Sequence, residues 1–181
     1  TNNLAGIPSI VFGLFGMGLF VVVLGFGDSI LAGSLTLAIM VLPVIIRTTE
    51  QAVSAVPDTL RWASLGMGAT KFQTIRRVVL PMALPRVLTG VILSIGRVAG
   101  ETAPILFTVA ALYLPRLPHS LFDQAMALPY HLYILSVSSP DPERSLPMAF
   151  GTALVLLLMV LGINLLANWI RNRFQRRFNP N

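Results

Sequence analysis

Cysteine is absent from the 181 residues, which excludes a disulfide framework, a thiolate metal site and a cysteine nucleophile. Lysine occurs once, at Lys71 in GMGATKF, so there is no G-x-x-x-x-G-K-[ST] loop and the chain is not expected to hydrolyse ATP. Charge is scarce: Asp, Glu, Lys and Arg make up 11% of the chain, whereas they form about a quarter of an ordinary soluble domain. The histidines, His119 and His131, have no carboxylate or cysteine at ligand spacing, so neither a metal nor a cofactor is expected. No nucleophile motif surrounds the Ser, His and Asp residues, which argues against a hydrolase and against an enzyme. No internal repeat, low-complexity tract or soluble domain boundary interrupts the chain, so a single membrane domain over 1–181 is expected. Thr1 is neither an initiator Met nor the basic start of a signal peptide, and an N-terminal portion is expected to be missing.

What the chain has instead is apolar length. Hydrophobic residues make up 55% of it, and the mean hydropathy is +0.77. Crossing a hydrocarbon layer of about 30 Å takes about 20 helical residues. Four runs approach or exceed that length, at 8–25, 30–46, 82–112 and 147–170, which predicts an all-α integral membrane protein with about four spans. The third run is longer than one crossing needs and contains Arg97, Glu101 and Pro104, so a tilt, a kink or an extension past the membrane is expected there.

The net charge of +6 comes from 13 basic against 7 acidic residues, and every basic residue but Lys71 is Arg. These residues cluster at the ends of apolar runs and form no soluble stripe, which speaks against nucleic acid. Short loops rich in Arg and Lys stay cytoplasmic. Arg47, Arg61, Lys71, Arg76 and Arg77 lie between the second and third runs, with Arg86 at the start of the third, and Arg171, Arg173, Arg176 and Arg177 follow the fourth. Both regions are therefore assigned to the cytoplasm. The loop 113–146 is assigned to the outside, and both ends of the chain come out inside. The basic tail, with Trp169 beside it, reads as a topological anchor at the lipid interface.

Between the second and third runs, VPDTLRWASLGMGATKFQTIRRVVLP (56–81) reads as two short helices. Pro57 and Asp58 suit the start of the first. Gly66 and Gly68 break the pattern, and Thr70 with Gln73 has the spacing of a capping box for the second. Phe72, Ile75, Val78 and Val79 are expected on one side of that helix. Such an element packs on the chain's own spans, lies on the lipid surface, or docks into a soluble partner.

The segment resembles the EAA loop of ABC importer permeases, whose pattern is E-A-A, three residues, Gly, nine residues, then I-x-L-P. Ala63 and Ser64 fill the second and third positions and Leu65 follows; Gly68 is the glycine, and Val78, Leu80 and Pro81 form the ending, with every spacing kept. Trp62 stands where the family has Glu, and the neighbouring Arg61 does not replace it. The flanks VLPVIIRTTEQAV, LSIGRVAGETAPILFTVA and FDQAMALPYHLYIL resemble phosphate importer permeases of the PstA type. The resemblance implies a type I (MetI-like) permease bundle in a bacterial inner membrane, with more spans than are present here. It also implies ATP-binding subunits docked on the EAA loop, a second related permease, and an extracytoplasmic phosphate-binding protein.

Within GRVAGETAPILF (96–107), Arg97 and Glu101 are four apart and would share a helix face. Charges at mid-membrane are costly without partners or water. Two readings stand: an internal bridge that fixes packing, or a pair lining a path. Gly96, Gly100 and Ala103 leave room around the pair, Thr102 and Thr108 add hydroxyls, and Arg presents a planar fork suited to phosphate. GRxxGET sits in the corresponding span of the resembling permeases. That assigns Arg97, Glu101 and Thr102 to the translocation path, with Glu101 orienting Arg97 and weakening its hold. Asn164 and Asn168 are expected to pack helices, as are Gly13, Gly16 and Gly18. The rival readings are a permease for another oxyanion, such as molybdate or phosphonate, and a non-transporting scaffold whose loop recruits a protein.

Overall fold

The structure is a computed structural model that describes residues 6–111 and 113–178. Thr1, and Leu112 at the end of the run 82–112, lie outside the described residues.

Helix α1, Ser9–Gly16, continues as a π-helical segment, Met17–Val23, and the apolar helix Ser9–Val23 falls short of a full crossing. It stops at a turn in which Gly25 and Gly27 take φ of 68° and 65°, a left-handed backbone that glycine adopts without penalty. Helix α2, Ile30–Ser54, then starts on Ser29, whose hydroxyl accepts from the Ala32 amide at 3.2 Å. The other amides at this end donate to a distant loop: Ser29 N to Thr108 O, Ile30 N to Asp123 O, and Leu31 N to Leu121 O. The orphan donors of the helix start are thus satisfied by chain some eighty to ninety residues on.

α2 continues well past the apolar run that ends at 46. Arg47 pairs with Glu50 at 2.9 Å, and Gln51, Ala52 and Val53 carry the helix on to Ser54. Hydropathy marks where apolar character ends, and a helix needs no apolar residues to go on.

Helix α3, Asp58–Gly66, follows Pro57, and the turn after it uses Gly68 at φ 83°. The capping box forms as its spacing predicts: the Gln73 amide donates to Thr70 Oγ1 at 3.2 Å, and the Thr70 amide donates to Gln73 Oε1 at 2.9 Å. It opens helix α4, Lys71–Val98, a 28-residue element about 42 Å long at 1.5 Å per residue. The second loop helix and the third apolar run are therefore one helix and not two. A π-helical stretch, Ile75–Val79, lies just before Pro81 and absorbs the widened turn that a proline imposes.

The run expected as one element over 82–112 ends at Val98. Gly100 and Glu101 close back onto Arg97 O and Val98 O in tight turns, and Thr102 leaves helical geometry at φ −111°. Pro104 has no amide to return to the Gly100 carbonyl, and it sits instead in the first turn of a new short helix, α5, Ala103–Leu106. After a loop held by one isolated bridge, Ala110 to Ala125, come α6, Leu128–Tyr133, extended by Ile134–Ser138, and α7, Pro142–Phe178.

α4 packs against α2 on one side and α7 on the other. A small buried cluster of Ala52, Val56, Val79 and Ala83 joins the ends of α2 and α4 beside α3. Among the described residues three helices are long and apolar enough to span a membrane: Ile30–Ser54, Lys71–Val98 and Glu143–Ile170. The outer face of α7, with Leu154, Leu157, Leu158, Leu161 and Leu165, is apolar and exposed, as lipid contact requires.

Candidate translocation site and docking hairpin

Arg97 occupies the last turn of α4, and Glu101 lies beyond its end. They do not share a helix face as the spacing suggested, because α4 ends at Val98, between them, and the chain turns at Ala99 and Gly100; the pair instead meets across the break. Arg97 Nε lies 3.5 Å from Glu101 Oε1, and the two side chains are 55% and 15% exposed. A saturated charge-assisted bond is shorter, at about 2.7 to 2.9 Å. The guanidinium is therefore held loosely at one edge. Thr102 stands half-buried at the start of α5. Thr108 is not available: it is fully buried, and its hydroxyl donates to Pro104 O at 2.7 Å.

Small residues place this break against its neighbours. Gly96 lies so close to the Asn164 side-chain oxygen that any Cβ would overlap it, so Asn164 of α7 abuts the residue before Arg97. A Cβ at Gly13 would sit 2.9 Å from Ala103 O, which puts α1 against α5. Gly16 packs on Thr36 in the same way, whereas Gly18 has no such neighbour.

At the other end of α4, α3 and the first turns of α4 form a hairpin. Gly68 sits at its tip; Ser64 Oγ lies 2.9 Å from Thr74 Oγ1 and ties its arms together. Ala63 and Leu80 are exposed, and Leu65, Val78 and Pro81 are half-buried. The four apolar residues expected on one side of the second helix separate: Phe72 and Ile75 face outward, and Val79 enters the core. The π-helical stretch Ile75–Val79 changes the phase between them. Trp62 and Ile75, both exposed, line a cleft of about 310 Å³ together with Asp58, Arg61, Leu65 and Lys71.

Arg61 is the residue that reading the sequence missed. Its guanidinium donates to Val53 O at 2.7 Å, and its Nε lies 3.5 Å from Asp58 Oδ1. It thereby fastens α3 to the last turn of α2. The contact spans eight residues and ends on a backbone carbonyl, so no pattern of side chains announces it.

On the loop between α5 and α6, the Asp123 carboxylate accepts from the amides of His119 and Ser120 at 2.8 and 2.9 Å. These bonds hold its pKa below the ordinary value of 3.8.

Comparison with known proteins places this geometry. A family model described as "Binding-protein-dependent transport system inner membrane component" matches residues 1–180. The chain is 37% identical over 190 residues to the "Probable ABC transporter permease protein YqgI" of Bacillus subtilis, covering 98% of this chain and 64% of that one. It is 43% identical to the "Phosphate transport system permease protein PstA" of Mycobacterium leprae, covering 96% of this chain and 56% of the relative. A PstA-type relative from Methanocaldococcus jannaschii is 40% identical, over 86% of this chain and 54% of that one. The chain thus spans between half and two thirds of the length of these relatives. Among solved structures, a chain of the MetNI methionine ABC transporter in inward-facing conformations superposes with a TM-score of 0.75 at 22% identity. The match covers 96% of this chain and 71% of that one, and it establishes a shared helical fold.

Proposed function

Because the chain belongs to the family of inner-membrane components of binding-protein-dependent transport systems, we propose that it is a permease subunit of an ATP-driven importer of inorganic phosphate. One observation carries the proposal: the docking hairpin and Arg97 are the two ends of a single helix. A displacement imposed on Gly68 and its neighbours by an ATP-binding subunit is carried by α4 to the break at Gly100. Measured along α4 from Arg86, Arg97 lies eleven residues on, about 16 Å. That is about half the hydrocarbon thickness, if Arg86 marks the membrane edge.

A helix that breaks at mid-depth beside a loosely held cation belongs next to a polar cavity and not against lipid, since lipid cannot satisfy freed backbone groups or a charge. Arg97 is the cation for a crossing oxyanion. Glu101 aims it and weakens its grip, so that the solute leaves, and Thr102 offers a hydroxyl nearby. A second related permease completes the path, an extracytoplasmic phosphate-binding protein delivers solute, and the hairpin and basic tail face the cytoplasm. The PstA-type relatives support phosphate as the solute.

The test is the assembled importer in vesicles. Binding protein loaded with phosphate should stimulate ATP hydrolysis and phosphate uptake, and molybdate or a phosphonate should compete poorly. Hydrolysis without stimulation would favour a scaffold, and preference for a competing anion would reassign the solute.

A further inference from the structure

Between the Arg97 break and the docking hairpin a second cleft opens along the seam of α2 and α4. It measures about 260 Å³, and its walls include Thr48 and Gln51 from α2 and Arg86, Thr89, Gly90 and Leu93 from α4. Gly90 lets the two helices approach at this level: it lies so close to Thr48 that a Cβ would collide with the threonine side chain. Arg86 is exposed and takes part in none of the ion pairs among the described residues. A cation with no counter-charge, set in a cleft and joined there by an amide side chain, suits an anion.

The register of α4 links this cleft to the break. Arg86 and Arg97 are eleven residues apart, close to three turns of 3.6 residues, so they project from the same stripe of the helix with Gly90 and Leu93 between them. A solute released by Arg97 toward the hairpin meets Arg86 next. The cleft is also built to hold weakly. The hydroxyls of Thr48 and Thr89 are already spent on the carbonyls of Ile45 and Pro85, at 3.1 and 2.9 Å. Only Arg86 and Gln51 remain as donors, and a transit station must let go.

We propose that the Arg86 and Gln51 cleft is a second, weak station for a free tetrahedral oxyanion, occupied after Arg97 and before exit. The proposal rests on the phosphate permease reading above. A lipid headgroup phosphate has the same chemistry, and the experiment separates the two sources.

The assembled importer carrying Leu93→Cys, the one thiol among these 181 residues, is placed in phosphatidylcholine vesicles and treated from the hairpin side with an anionic thiol reagent. Inorganic phosphate should slow the modification several-fold. Arg86→Gln should abolish that protection, and Arg97→Gln should leave it in place. Absence of protection with Arg86 present would overturn the station, as would protection that appears only when phosphatidylglycerol is added, which would make a headgroup the occupant.

A second measurement needs no cysteine. Arg86→Gln should slow phosphate uptake several-fold at unchanged complex abundance, and Arg86→Lys should restore most of it, because a weak station needs charge more than a planar fork. Uptake by Arg86→Gln at the wild-type rate would overturn the proposal and leave the permease reading standing. A failure of that reading shows itself separately, as no phosphate uptake in the unaltered importer.

Discussion

At the scale of single residues, a set of substitutions separates the two readings of Arg97. A bridge that exists only to hold the fold buries both partners, and removing one partner of such a pair costs about 3 to 5 kcal/mol because the other charge is stranded. Here the contact to Glu101 is a long one at 3.5 Å, and the two side chains are unequally covered, 55% and 15% exposed, which supports the path reading. The Arg97→Gln, Glu101→Gln double change should therefore assemble at wild-type abundance and fail to transport. Arg97→Lys keeps the charge and loses the fork; forfeiting one charge-assisted bond of ~1.5 kcal/mol slows uptake about tenfold. Recovery of uptake in the double change, with complex abundance measured in the same membranes, would assign the pair to packing. Asp123 makes a second case. Its pKa is depressed by the His119 and Ser120 amides, so its clamp is present at neutral pH and is lost as pH falls below 3.8 through the depressed value. Asp123→Ala removes the clamp at every pH, and hydrogen exchange at the His119 and Ser120 amides should speed up at neutral pH. Unchanged exchange would show that the loop is held by its bonds to the start of α2 alone.

At the scale of elements, the hairpin is a rigid attachment because two polar contacts fix its arms: Arg61 to Val53 O, and Ser64 to Thr74. Gly68→Asp forces a side chain into left-handed backbone at φ 83°. It should lower both uptake and co-purification of the ATP-binding subunit more than it lowers insertion into the membrane. Arg61→Met keeps the length of the side chain but frees α3 from α2; it should leave the subunit bound while cutting the uptake obtained per ATP hydrolysed. If both variants keep wild-type coupling, force does not pass through the hairpin. The turn at Gly68 and the Thr70 capping box were legible in the sequence because each is decided by residues within one turn of itself. The continuity of α4 was not legible, and of its end at Val98 the sequence offered a kink near Pro104 as one of three outcomes but not the break itself. Hydropathy reports which solvent a segment prefers, and 82–112 prefers lipid throughout, whether or not its backbone stays helical. The separation of Phe72 and Ile75 from Val79 was hidden for a related reason: a period of 3.6 cannot register a π-helical stretch.

At the scale of the whole molecule, the two ends of α2 label opposite faces. Its first amides are bonded to the loop that carries Leu121 and Asp123, and its last turn is bonded to Arg61. Twenty-five residues separate these ends, about 37 Å, which exceeds the hydrocarbon thickness. A loop position near Asp123 and a hairpin position near Arg61 therefore lie on opposite sides of any membrane that α2 crosses, whichever way round the chain is inserted. The arginines then choose the direction, since Arg47, Arg61, Arg76, Arg77 and Arg86 gather at the hairpin end, while Arg116 and Arg144 are the arginines of 113–146. These 181 residues hold no cysteine, so a Cys at Ser120 or at Thr59 is the one thiol among them; both positions are exposed. In intact cells an impermeant thiol reagent should label Ser120→Cys and should reach Thr59→Cys only after the membrane is opened. Labelling of both from outside would show that α2 does not span. Labelling of Thr59→Cys alone would invert the chain, put the hairpin out of reach of any cytoplasmic ATP-binding subunit, and remove the mechanical link from ATP hydrolysis to Arg97.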